Sequence, residues 1–172
     1  MKLTSLFAMA EKIDRFTDKI GRSSAWLSLL MVLVTLTIVV LRYAFQLGSI
    51  ALQESIMYIN ALVFTLGAAY TLKENGHVRV DIFYSQFSPR MRAVVDIVGV
   101  CLFLFLTLGF IAWSSWDYVA VSWRIRESST EASGLPIVYL LKSTIFLLIS
   151  LLALQGVSEL IKSVRVLVTP AK

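Results

Sequence analysis

The chain has 172 residues, 58% of them hydrophobic and only 16% charged, with a formal net charge of +5. Soluble domains are about half apolar and about a quarter charged, so this composition excludes an ordinary water-soluble globule. One cysteine (Cys101) and one histidine (His77) exclude an internal disulfide and a self-contained Cys/His metal site. The positive balance fits Lys and Arg gathered at cytoplasmic edges and does not point to nucleic acid.

Residues 1–22 are amphipathic. Leu3, Leu6, Phe7, Ala10, Ile13 and Ile20 keep approximate helical spacing, while Glu11, Lys12, Asp14, Arg15, Asp18 and Lys19 occupy much of the other side. That predicts an interfacial helix feeding a membrane span. Residues 23–41 carry no Asp, Glu, Lys or Arg, and neither do 55–72, 97–116 or 143–158. A crossing helix needs about 20 mostly apolar residues. The fourth run reaches that length by extending back to Leu135 and taking in Lys142. The expected fold is all-α, a single membrane domain with four transmembrane helices at about 23–43, 54–72, 89–123 and 136–165.

Within these spans a few polar residues stand out. Glu54 opens the second span, where a helix N-terminus favours a carboxylate. Asn60 lies deeper, where an amide is expected to face another helix because lipid offers it no partner. The third helix would measure about 52 Å against a hydrocarbon core of about 30 Å, so it must tilt or protrude. Trp113, Trp116, Tyr118 and Trp123 mark its outer end as an aromatic belt. Lys142 lies about two turns into the fourth helix and is expected to snorkel outward or pair with Asp117, Glu127 or Glu131. Gln155 and Glu159 read as interhelical hydrogen bonders near the other end.

Residues 73–88 form an elbow between the second and third spans. Asn75-Gly76 tolerates positive φ and predicts a tight turn. Val80, Phe83, Tyr84 and Phe87 then share one helical face, which suits a short helix on the membrane surface; a solvated loop is the alternative. Ser88-Pro89 supplies an N-cap and a first helical residue. Gly76, His77, Arg79 and Asp81 are read as fixing this elbow, with Arg79 and Asp81 bonding backbone groups or lipid phosphates. Of the 16 Lys and Arg residues, the N-terminal segment, elbow and C-terminal tail hold all but Arg42, Arg124, Arg126 and Lys142. This asymmetry predicts that both termini and the elbow are cytoplasmic.

Enzyme chemistry finds little purchase. A bis-histidine haem needs two imidazoles, no Gly-rich phosphate loop follows a strand, and no Ser-His-Asp set shares a membrane depth. No catalytic residue, substrate site, metal or cofactor is therefore expected. The spans also lack a mid-bilayer Asp or Glu, the usual sign of an ion or proton path.

Several segments carry a family resemblance. They are Arg42-Tyr43, Glu54 at a helix start, Leu66-Gly67-Ala68-Ala69 and Gly76-His77-Val78-Arg79-Val80-Asp81. Later come Ser129-Thr130, Leu135-Pro136, Lys142, and Leu154-Gln155 with Glu159. Over about residues 25–160 the chain resembles the small membrane subunit (DctQ-like) of tripartite ATP-independent periplasmic (TRAP) transporters. It departs from them at Gln53 and Ser55, where members often carry an aromatic residue and a second acid. The resemblance implies an accessory subunit of the bacterial inner membrane. Its partners would be a large multispanning permease, a periplasmic substrate-binding protein and membrane lipids, and the transporter would import a carboxylate, usually with sodium. On that reading Glu54, Asn60 and Gln155 are candidate contacts with the large subunit. Arg124, Arg126, Glu127 and Glu131 are candidate docking charges for the binding protein, or simply a solvated loop. A tetraspan assembly factor or the membrane anchor of an unrelated redox complex are the alternatives.

The orientation is open to direct measurement. In a Cys101→Ala background, Ser129→Cys should react with an impermeant thiol reagent only from the periplasm, and His77→Cys only from the cytoplasm. Labelling of position 129 from the cytoplasm alone would reverse the topology.

Overall fold

The computed structural model describes residues 2–76 and 84–169. Within them are α1 (Lys2–Ala44), α2 (Ile50–Lys73), α3 (Pro89–Val98), a π-helical segment (Gly99–Phe105), α4 (Leu106–Ile125) and α5 (Val138–Val168). α3, the π segment and α4 run on as one rod, so four rods are long and apolar enough to cross a membrane.

α1 has 43 residues and runs unbroken from the charged N-terminal segment into the first span, about 64 Å in all. Its amphipathic segment buries Ala10, Ile13 and Thr17 within the protein, where it packs on α5. α2 starts at Ile50, four residues ahead of Glu54, because Ser49 caps it: the Ser49 hydroxyl accepts from Leu52 N at 3.3 Å. At its other end Asn75 takes the left-handed conformation (φ 54°), and Gly76 N and Asn75 N bond to Thr71 O and Leu72 O. This double bond pattern closes the helix as a Schellman turn. The expected turn is present, with Asn75 as its positive-φ residue. Ser88 caps α3 by accepting from Met91 N, and Pro89 is its first residue. At the far end of α4, Arg126 adopts φ 49° and the same double bond runs from Glu127 N to Ser122 O and from Arg126 N to Trp123 O.

α5 is the centre of the bundle. α1 and α2 pair with each other and both rest on α5; α3, the π segment and α4 lean on it from another side. The residues buried between rods are mostly small or polar, among them Ala69, Ala93, Ser122, Gly156 and Ser158. Lipid tails are as apolar as leucine, so helices in a bilayer associate through close packing and hydrogen bonds and not by hiding leucines. The large apolar side chains accordingly point outward, as Val32, Leu36, Phe103 and Phe110 do.

Close approach sets two contacts. Gly21 of α1 lies against the Tyr70 ring of α2, and a Cβ there would fall 2.5 Å from Tyr70 Cβ. Gly156 of α5 faces Leu104 and Phe105 of the π segment, where a Cβ would sit 2.8 Å from Leu104 Cδ2. Gly21→Leu should therefore separate α1 from α2 and lower stability by about 1–3 kcal/mol, read as a drop in thermal midpoint in detergent. Gly109→Ala has open space around it and should leave the midpoint unchanged or raise it.

Candidate functional site

The polar groups gather at the two ends of the bundle. One end holds the start of α1, the end of α2, the start of α3 and the end of α5; the other holds the loops 45–49 and 126–137.

At the terminal end, α5 presents Gln155, Ser158, Glu159 and Lys162 at i, i+3, i+4 and i+7, one stripe aimed at α1. Gln155 has no exposed surface. Its Nε2 donates to Asp14 Oδ1 and to Glu159 Oε1, each at 2.9 Å, and its Oε1 accepts from Thr17 Oγ1 at 2.8 Å. Ser158 Oγ donates to Asp14 Oδ1 at 2.6 Å. Lys162 Nζ lies 3.2 Å from Asp14 Oδ2 and 2.6 Å from Glu159 Oε1. Two carboxylates, one ammonium, an amide and two hydroxyls thus close on one another across α1 and α5.

A second pair ties α1 to α2. Lys73 Nζ lies 2.9 Å from Asp18 Oδ1 and 2.8 Å from Glu74 Oε1, and Arg22 Nε lies 2.8 Å from Asp18 Oδ2. Beyond the elbow, Arg92 Nε donates to Phe87 O at 3.0 Å and Nη2 to Ser85 O at 2.6 Å, with the guanidinium 5.5 Å from the Tyr84 ring centre. Tyr84 Oη donates to Asp96 Oδ2 at 2.8 Å. Gly76 has its place in the turn after α2. His77, Arg79 and Asp81 lie outside the described residues, as do Val80 and Phe83.

At the loop end, Glu54 reaches from α2 to the segment between α4 and α5. Its Oε2 accepts from Leu135 N at 2.6 Å, and its Oε1 accepts a short hydrogen bond from Ser129 Oγ. A Cβ at Gly134 would fall 2.8 Å from Glu54 Oε1, so this turn fits around the carboxylate only as glycine. Glu54 therefore serves as a loop clasp, whereas the sequence pointed to its own helix start; Ser49 does the capping. Lys142 Nζ pairs with Glu127 Oε2 at 2.5 Å and sits 3.9 Å from the Tyr118 ring centre. Glu127 is thus its ion-pair partner among the three acids considered. Lys142, with the Ser122 side chain beside it, holds the Glu127 carboxyl below the usual carboxylate range. A depressed carboxylate contributes stability above its unfolded value and loses it as pH falls through the folded one, so this pair is constant across neutral pH.

The sequence-nominated residues therefore separate. Of the candidate subunit contacts, Gln155 is taken wholly inside the chain, Glu54 holds the loop, and Asn60 is exposed on α2. Of the docking charges, Glu127 is committed to Lys142. Arg126 stacks over Trp123 and Tyr139 at 5.4 and 5.3 Å, and Arg124 and Glu131 are exposed. The sequence did not single out Asp14, Thr17, Ser158 and Lys162 as a cluster. Asp14 and Thr17 follow Ala10 on one α1 face, and that spacing is the available signal.

Gln155→Leu should leave Thr17, Asp14 and Glu159 each short of a partner in a buried setting. The expected loss is about 1–3 kcal/mol, measured as a lower thermal midpoint in detergent.

The sequence profile of the family described as "Tripartite ATP-independent periplasmic transporters, DctQ component" matches residues 31–166. A curated relative, the "C4-dicarboxylate TRAP transporter small permease protein DctQ" of Vibrio cholerae serotype O1, is 27% identical over 108 residues. That alignment covers 61% of this chain and 47% of the relative, so the chain spans about half of the relative's length. No solved structure is significantly similar to the chain. With four membrane-spanning rods and a profile match over most of its length, the chain belongs to the DctQ family of TRAP transporter small permeases, multi-pass proteins of the bacterial inner membrane.

Proposed function

We propose that this chain is the accessory small subunit of a TRAP transporter that imports a carboxylate with sodium. Both termini and the elbow would be cytoplasmic and the loop 126–137 periplasmic. The observation that carries this reading is the placement of charge. Asp14, Asp18, Lys73, Glu127, Lys142 and Lys162 are tied to one another in intrachain pairs at the two ends of the bundle. Such pairs hold helices in register and leave substrate and ion chemistry to a larger permease. The relative's name supplies the substrate class, a C4-dicarboxylate for that protein. The elbow around Gly76, His77, Arg79 and Asp81 then serves assembly and lipid contact, not catalysis.

At the periplasmic end, exposed Arg124, Glu131 and the ring-stacked Arg126 offer a small mixed-charge rim to a substrate-binding protein. Rim pairs of this kind each contribute about 0–1 kcal/mol and act mainly on encounter rate.

Reconstitution tests both parts. Proteoliposomes with this chain, the large permease and the binding protein should accumulate C4-dicarboxylate under an inward sodium gradient; the chain alone should not. Uptake by this chain alone would refute the accessory role. Arg124→Glu with Arg126→Glu should slow uptake at limiting binding protein, more at low salt than at high, while the permease complex survives. Unchanged uptake at every salt concentration would remove the docking role.

A further inference from the structure

One polar side chain stands where the bilayer should be driest. Asn60 lies near the middle of α2, is exposed, and its amide has no hydrogen-bond partner among the described residues. The exposed hydroxyls of Thr35, Thr37, Ser114 and Ser150 differ, because each bonds back to a carbonyl of its own helix. A carboxamide brings two donors and an acceptor, and hydrocarbon satisfies none of them. Headgroups lie about 15 Å away at that depth. Only another membrane-embedded protein segment can meet this amide.

The surface around Asn60 has the spacing of a helix seam. Gln53, Met57, Asn60, Phe64, Gly67 and Thr71 are separated by four, three, four, three and four residues. This is the alternation of an apolar seam in a left-handed helix pair. Gln53, Met57, Asn60 and Phe64 are exposed, Phe64 by 68%, and a Cβ on Gly67 would meet nothing within 4 Å. The opposite side of α2 buries Thr65 and Ala69, and the helix packs on α1 and α5. The seam is thus an unfilled side of a helix whose other side is full.

We propose that this α2 seam, centred on Asn60, is the docking surface for a transmembrane helix of the large permease, one carrying a hydrogen-bonding side chain at mid-bilayer. The proposal rests on the small-permease reading above and names the helix that the large subunit meets. Gly67 allows the partner backbone to come close, Phe64 and Met57 flank the amide, and Asn60 sets depth and register.

The test uses the co-expressed complex of this chain with its large permease. A photoreactive benzoylphenylalanine placed at Met57 or Phe64 should crosslink to the permease, while the same probe at Phe103 or Phe110, exposed on the third rod, should not. Asn60→Leu removes no hydrogen bond among the described residues and Gly67→Leu grows into open space, so each variant alone should keep its thermal midpoint. In the complex each should reduce retained permease by about three- to tenfold, with Asn60→Gln restoring part of it. Crosslinks from the α2 positions to a second copy of this chain or to lipid only would overturn the seam, as would undiminished retention by both leucine variants. Failure of the unaltered chain to retain any permease would instead refute the small-permease reading, and the seam would fall with it.

Discussion

A carboxamide sealed from water must find every one of its hydrogen-bond partners inside protein, and the terminal half of this bundle is arranged around that demand at Gln155. Two acceptors and one donor have to converge on one point of α5. Asp14 and Thr17 supply two of them from α1, and Glu159 supplies the third from one turn further along α5. This constraint fixes the rotation of α1 about its axis and its height against α5 together, which packing of leucines against lipid-like neighbours could not do. Polar pairs in membranes are each worth only about 0.6–2 kcal/mol, so their role here is one of registration more than of strength. Ser158 and Lys162 bring further bonds to the same carboxylate, and misalignment by one residue would break several at once.

The loop end uses the same logic with different chemistry. Glu54 and Lys142 each leave a helix near its end to hold a loop: Glu54 the turn at Ser129 and Leu135, Lys142 the Glu127 carboxylate. The bundle is therefore pinned by charge at both ends and packed through small residues and outward-facing apolar side chains between them. Pinning of this kind closes the interior and leaves the faces of the bundle as its open surface.

Much of the fold is legible in the sequence because a charge-free run of spanning length suits little besides a membrane helix. The four rods, the turn at Asn75 and the cap at Ser88 all follow from local chemistry. Pairings between distant residues are less accessible. Glu54 lies 81 residues from Leu135, and nothing local distinguishes a carboxylate that stabilises its own helix start from one that reaches another loop. Gln155 reads correctly as an interhelical hydrogen bonder. Its complete enclosure by α1 is hidden because Asp14 and Thr17 lie in a segment whose charges suggest a water-facing surface. The unbroken α1 accounts for this: residues that would meet headgroups in a separate interfacial helix here meet α5. Asn60 shows the converse. Depth alone says that it needs a partner, and only the bundle geometry shows that no described residue of this chain is that partner.

The π-helical segment at Gly99–Phe105 has no signal in the sequence, yet it bears on how the third rod is phased. A wider turn absorbs one more residue than an α-helix would over the same rise. Ala93 below it and Leu108 above it both face the interior. The segment thus accommodates an extra residue while both halves of the rod keep an inward face. A single-residue deletion inside it could be taken up by reversion to plain α-helix with both halves still facing α5. The same deletion elsewhere in the rod would swing everything beyond it by about 100° and carry Val119 and Ser122 out of the bundle. Loss of one residue from this rod is therefore best tolerated at this one turn.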